Sequence, residues 1–367
     1  MTFKVPSRIR RTLIALAATT ALLGLAASSA SAKVQYGIGP QTNLNQNDYD
    51  LMNSIGTDLI RNPLFWAGVQ PGGGDCTAQG DACNWAFPDS QVGAAAANGI
   101  ETMFDLYGSA PFVNSDQAKP PVNNVAAWKQ FVGAAAQRYG PGGAYWNGPY
   151  QGQFGANAPV IPVRVWQIWN EQSSFQFFQP KPNVKKYAKI LVPGSEAILA
   201  ADKKADVLLG GMFTDTGPKG IPIDKFLKDL YKAKGVKDKT FDGVAVHPYA
   251  EDVKELDDQV SGVRKTMDKS GGKKDDLWIT EIGYASDGPK SQEVVKKGEK
   301  GQAKAITDAY KYLNKKDKKF DIPGIIYFTW QDAAASTGVC QFCVFAGLLD
   351  QQGNQKKAFG AYKKVTK

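Results

Sequence analysis

The sequence predicts a closed (β/α)8 barrel, and three observations carry that expectation. Eight short strand-like runs alternate with stretches of helical spacing, a pattern that gives either an open doubly wound sheet or a closed barrel. The count of eight favours the barrel, and no Gly-x-Gly-x-x-Gly turn follows the first run. About 335 residues remain after an N-terminal leader, which is long for one sandwich and ordinary for one barrel.

In chain order the runs are Val34–Gly39, Leu59–Trp66, Ile100–Tyr107, Val163–Trp169, Val207–Met212, Gly243–Pro248, Leu277–Glu281 and Ile325–Trp330. Most are continuously apolar, as parallel strands covered on their outer face should be. Between them apolar residues recur at helical spacing: Trp128, Phe131, Val132 and Ala135; then Tyr187, Ile190 and Leu191. Further on come Phe226, Leu227 and Leu230, then Val260, Val263 and Met267. Asn123-Asn124 and Asp224 read as helix starts, and Gly99, Gly140 and Gly235 as stops. The longest interruption, Gly140 to Pro162, precedes the fourth strand. It is therefore expected to close the barrel floor rather than touch a ligand. The aromatic-rich segments 65–85, 175–178 and 330–345 follow strands and can line a cleft.

Residues 1–32 have the three parts of a secretory signal. Lys4, Arg8, Arg10 and Arg11 form a basic start, Leu13–Ala27 is apolar, and Ala30-Ser31-Ala32 suits cleavage. The fold is then expected to be one (β/α)8 domain over 33–367, exported and free of the membrane once the leader is removed. The formal charge of +9 drops to +5 without those four cations. Lysine pairs such as Lys273-Lys274 and Lys315-Lys316 read as solvated helix faces, and no nucleic-acid motif is present. Four cysteines in an exported chain are expected to be bridged, and four allow three pairings. The local pairs Cys76–Cys83 and Cys340–Cys343 are favoured, because short loops close at low entropic cost. The Cys340-x-x-Cys343 spacing lacks the strand-to-helix setting of a redox pair. Zinc is disfavoured because His247 is the one histidine.

Two runs stop at a glutamate: Arg164-Val-Trp-Gln-Ile-Trp-Asn170-Glu171 and Leu277-Trp-Ile-Thr-Glu281-Ile-Gly283. A carboxylate at the end of a buried strand is costly without a partner or a task. In a barrel both strand ends share the face where active sites are built, and strands four and seven oppose each other across it. Glu171 and Glu281 are 110 residues and three strand–helix units apart, roughly 37 residues per unit, which is ordinary for this barrel. Paired carboxylates are what cleavage of a glycosidic bond needs: one protonates the leaving oxygen, the other attacks carbon or activates water. Asn170 and Glu171 are neighbours, so both reach the mouth only if the strand end breaks its pleat, for example at a bulge. Arg61 sits in an apolar run and needs an anion, for which Glu281 is a candidate. His247 and Tyr249 share parity at the end of the sixth strand, where Tyr249 can hydrogen-bond Glu281. Trp330 ends the eighth, either as a platform for a sugar ring or as core. A serine hydrolase is disfavoured, because no Gly-x-Ser-x-Gly elbow occurs.

These residues together resemble the glycoside hydrolases of clan A, the retaining (β/α)8 group, over nearly the whole chain after the leader. Trp169-Asn170-Glu171 is similar to the strand-four signature, in which Asn binds the sugar 2-hydroxyl and Glu is the acid/base. Thr280-Glu281-Ile282-Gly283-Tyr284 is similar to the strand-seven signature, whose Glu is the nucleophile. Arg61, His247, Tyr249 and Trp330 match substrate-binding positions on strands two, six and eight. The chain resembles family 39-like and family 5-like bacterial enzymes most. Tyr139-Gly-Pro-Gly-Gly143 with Trp146 leans towards the former. The usual Pro after the strand-four Glu is Gln172 here, which leaves the geometry of that loop open. The resemblance implies a secreted, monomeric, retaining glycosidase acting on an oligo- or polysaccharide, with no cofactor and no metal. The alternative is a non-catalytic carbohydrate-binding or cell-wall protein on the same barrel.

Overall fold

Strands that are apolar on both faces must be covered inside and out, and a sheet closed on itself within a ring of helices does so without leaving an edge. The computed structural model describes residues 33–213, 217, 219–292, 294–334 and 340–367; the expected leader, 1–32, lies outside the described residues. The eight strands are β1 Gln35–Gly39, β2 Leu59–Phe65, β3 Glu101–Tyr107, β4 Val165–Ile168, β5 Asp206–Leu209, β6 Gly243–His247, β7 Asp276–Ile282 and β8 Gly324–Phe328. All pair in parallel with their neighbours in sequence. β8 returns to β1 over five residue pairs, Gln35 with Gly324 to Gly39 with Phe328. The helices between them are α1 Gln46–Ser54, α2 Ala86–Ala97, α3 Val125–Tyr139, α4 Val184–Ala201, α5 Ile223–Leu230, α6 Val253–Ser270, α7 Gly298–Phe320 and α8 Lys357–Thr366. The fold is the expected (β/α)8 barrel.

Asn124 stands at the start of α3 as expected, whereas Asp224 lies within the first turn of α5, which begins at Ile223; side chains not singled out from sequence cap three other helices. Asn45 and Asp48 form a reciprocal capping box on α1. Asn183 accepts from Lys186 N at the start of α4, and Asp252 from Glu255 N at the start of α6. Gly140 ends α3 as expected, whereas α5 stops at Leu230, short of Gly235. The barrel interior holds a layer of Leu59, Met103, Val165, Leu208, Ala245, Trp278 and Ile326. The Trp278 indole fills the space beside Gly324 so closely that a Cβ on that glycine would overlap it. The larger apolar layer lies between strands and helices.

Two expectations change. The fifth strand ends at Leu209 and resumes only at Met212–Phe213, because Gly210-Gly211 steps out of the ladder. The segment 140–162 does not close the floor. Its short helix Pro149–Phe154 packs on the flank of α2, where Tyr145 and Phe154 occupy the space a side chain on Gly93 would need. Tyr145, Trp146 and Tyr150 are buried there. Cysteines 76 and 83 are bonded in the loop after β2, and cysteines 340 and 343 in the loop after β8. Among the described residues no helix is long and apolar enough to cross a membrane.

Candidate active site

The ladder of β4 stops at Ile168, and the next three residues abandon the pleat. Trp169 and Glu171 both take left-handed backbone conformations, φ +71° and +43°, which are uncommon away from glycine. This pair of turns lets the neighbours Asn170 and Glu171 reach the same mouth, where a bulge had been expected. The turn is tied on several sides. Glu171 N donates to Gly211 O at 2.9 Å, Trp169 Nε1 to Phe177 O at 2.8 Å, and Gln172 Nε2 to Gly210 O at 3.0 Å. A Cβ on Gly210 would overlap Gln172, and one on Gly211 would overlap His247. Gln172 is fully buried, so the residue that replaces the expected proline anchors the turn to the strand beside it.

Across the mouth, Glu281 lies one residue before the end of β7. Arg61 Nη1 donates to Glu281 Oε1 at 2.6 Å, and Tyr249 Oη to Oε2 at 2.8 Å. The rest of the Arg61 guanidinium is engaged too: Nε with Gln167 at 3.2 Å, and Nη2 with Asp105 and Asn170 at 2.9 Å each. His247 Nδ1 is 2.8 Å from Glu171 Oε1 and 3.6 Å from Glu281 Oε2, and its Nε2 is 3.1 Å from Thr280 Oγ1. Oxygens of Glu171 and Glu281 and a nitrogen of His247 lie within 4.8 Å of one another. Asn170, Glu171 and Glu281 are each 9% exposed, too little for solvent to set their charge alone.

That environment splits the two glutamates. Burial raises the Glu171 carboxyl above its ordinary value, and nearby Glu281 adds to the effect; His247 and Arg61 only partly offset it. Burial also pushes Glu281 up, but His247, Arg61 and Tyr249 together reverse the effect and hold it below the ordinary value. One carboxyl is thus poised to keep a proton and the other to lose it, the division that acid-assisted displacement at a sugar carbon requires. Glu171, His247 and Glu281 also have donor types that suit a metal ion, but the charge of Glu281 is already answered by Arg61.

The structure brings Arg61, Asn170, Glu171, His247, Tyr249 and Glu281 together and leaves Trp330 out. The chain turns away after Phe328, and Trp330 is wholly buried, with its Nε1 donating to Asp48 of α1 at 2.9 Å and its ring against Phe359 of α8. It is a core residue and not a sugar platform; Phe328 is the aromatic that β8 presents to the cleft. Two residues that reasoning from sequence passed over are Asp105 and Gln167, both buried polar groups in apolar strands. The signal that drew attention to Arg61, an ionisable group in an apolar run, was present at Asp105. Burial raises Asp105 to about 7 even beside Arg61. The cleft above these groups measures about 660 Å³. Phe65, Tyr107 and Phe177 meet edge to face over β2–β4. Phe213, Tyr249 and Phe342 do so on the other side. The Cys340–Cys343 bridge forms part of the rim.

The family profile described as the glycosyl hydrolase catalytic core matches residues 172–362. No curated protein matches the sequence. Solved structures of similar fold include a glucosidase from Croceicoccus marinus, at 15% identity and a TM-score of 0.66, covering 92% of this chain and 67% of that one. A family 39 glycoside hydrolase from Bacteroides cellulosilyticus WH2 is 18% identical with a TM-score of 0.63, covering 92% and 64%. A monomeric beta-xylosidase from Caulobacter crescentus CB15 is 17% identical with a TM-score of 0.60, covering 90% and 67%. This chain therefore spans about two thirds of the length of each, and at these identities the likeness is one of fold.

Proposed function

The chain belongs to the glycosyl hydrolase catalytic core family, and from that premise we propose that it is an exported, retaining glycosidase in which Glu281 is the nucleophile and Glu171 the acid/base. It is a glycoside hydrolase of the clan A type, similar to families 39 and 5. In the proposed reaction Glu281 attacks the anomeric carbon while Glu171 protonates the departing oxygen. Glu171, now ionised, takes a proton from the water that frees the sugar from Glu281. Arg61 and Tyr249 hold Glu281 ionised and aimed, and His247 lies against Glu171. Asn170, fixed by Arg61, is placed to meet the sugar 2-hydroxyl.

The observation that carries this reading is the approach of the two glutamates within 4.8 Å, oxygen to oxygen. That fits the roughly 5–5.5 Å carboxyl spacing of retaining enzymes better than the roughly 6.5–9.5 Å of inverting ones. Gln172, the departure that left the geometry of this loop open, is part of the seat of Glu171 and does not argue for the non-catalytic alternative. Two disulfides are consistent with export, with 1–32 removed as a signal and 33–367 as the catalytic domain.

The test is Glu281→Gln, a nearly isosteric change. It should lower turnover by at least about 10²–10⁴-fold while leaving the circular dichroism spectrum intact. NMR of the first-formed product should show the anomeric configuration of the substrate. An active Glu281→Gln enzyme removes the assignment of the nucleophile, and an inverted product removes retention.

A further inference from the structure

The floor of the cleft is rich in carboxyl groups. Asp105, Glu171 and Glu281 all line it, and among the described lining residues the one cation is Arg61. That guanidinium is 7% exposed, and four of its five N–H groups are bonded, to Gln167, Glu281, Asp105 and Asn170, so its charge is already shared between Glu281 and Asp105. A carboxylate brought into this space would find no uncommitted cation among the described lining residues. It would also stand beside the ionised Glu281, where solvent screens poorly.

Asp105 adds a positive requirement. Its Oδ2 is held by Arg61 at 2.9 Å, but Oδ1 has only a long contact of 3.4 Å from Gln167 Nε2. The same Gln167 amide also reaches Trp169 O at 3.3 Å. Asp105 thus keeps acceptor capacity on Oδ1 at the cleft floor, where a sugar hydroxyl can donate to it. A site built around such a bond discriminates strongly against ligands that cannot make it.

We propose that the subsite over Asp105 takes an uncharged sugar, one of whose hydroxyls donates to Asp105, and rejects sugars that carry a carboxylate. Asp105 is then a specificity-determining residue. The proposal rests on the glycosidase reading and narrows its substrate to neutral glycosides. The basic outer surface does not alter this, because attraction of an acidic polymer to exposed lysines is screened within about a Debye length.

The test separates binding from turnover. Glu171→Gln, whose amide matches a protonated carboxyl in charge, is titrated calorimetrically with neutral oligosaccharides (xylo-, gluco-, manno- and galacto-series) and with uronic-acid oligosaccharides of the same length. At least one neutral series should bind, and the uronic series at least about 100-fold more weakly. Adding Asp105→Asn should weaken neutral binding about tenfold and shrink the neutral-to-acidic ratio, which a purely structural role would leave unchanged. Uronic binding equal to or tighter than neutral binding overturns the proposal, as does an Asp105→Asn variant with an unaltered ratio. If that variant fails to fold, the ratio in Glu171→Gln alone decides. In parallel the native enzyme is assayed on aryl glycosides of both classes. Selective neutral binding without turnover of any substrate would sink the hydrolase reading and leave this one standing. Binding of neither class sinks both.

Discussion

Glu281 and Glu171 are the same side chain given opposite tasks by their neighbours. In the proposed mechanism activity needs Glu281 ionised and Glu171 protonated. The rate should therefore rise with pH as Glu281 loses its proton, below the ordinary carboxylate range. It should fall again as Glu171 loses its own, above that range. Tyr249→Phe removes one of the groups that lower Glu281, so the acid limb of the kcat/KM profile should move to higher pH with the alkaline limb little changed. An acid limb that stays in place would show that Tyr249 does not tune Glu281. Trp330 makes the reverse case, a residue whose chemistry suits a sugar but whose position does not. Trp330→Phe should cost about 1–3 kcal/mol of stability through the lost bond to Asp48, with KM changed less than about twofold. A large rise in KM would return Trp330 to the cleft. Its place at the end of the eighth apolar run had made it a candidate for the mouth, but the strand itself ends at Phe328, two residues earlier. Asp105 was legible by the same reasoning that found Arg61: an ionisable group in an apolar strand needs a partner.

At the scale of elements, the turn after β4 depends on its neighbour β5. Gln172 fits only because residue 210 is glycine, and His247 only because residue 211 is. Gln172→Ala removes the bond to Gly210 O from a buried site, and should destabilise by about 1–3 kcal/mol. It should also lower kcat more than it raises KM, since it loosens the carboxyl and not the sugar contacts. Stability and kinetics both within error of the native enzyme would refute this seat. The eight strands were readable because burial on both faces forces continuous apolar runs. The left-handed turn was not. Trp169 and Glu171 carry no local preference for positive φ, so only the tertiary contacts at Gly210 and Gly211 select it. The role of Gln172 was illegible for the same reason, its partner lying 38 residues away.

For the whole molecule the barrel was legible from count, spacing and length, while the cleft walls were not, because they depend on how loops after six different strands fold over one another. Closure joins the two ends of the described chain. β1 pairs with β8, and α8 fastens the seam: Tyr362 Oη donates to Gly37 O at 3.0 Å and Thr366 Oγ1 to Ile55 O at 2.7 Å. These bonds span 325 and 311 residues of sequence. Contacts so distant form late, after most of the loop entropy has been lost. Until they form, β1 and β8 are two bare sheet edges on one molecule, each a template for a neighbour's strand. The step that completes the catalytic face is thus also the one most exposed to aggregation. Refolding yield should fall steeply with protein concentration, and a chain truncated before Lys357 should aggregate rather than fold into a weakly active barrel. A soluble, monomeric truncation with native circular dichroism would show that the seam holds without its last helix.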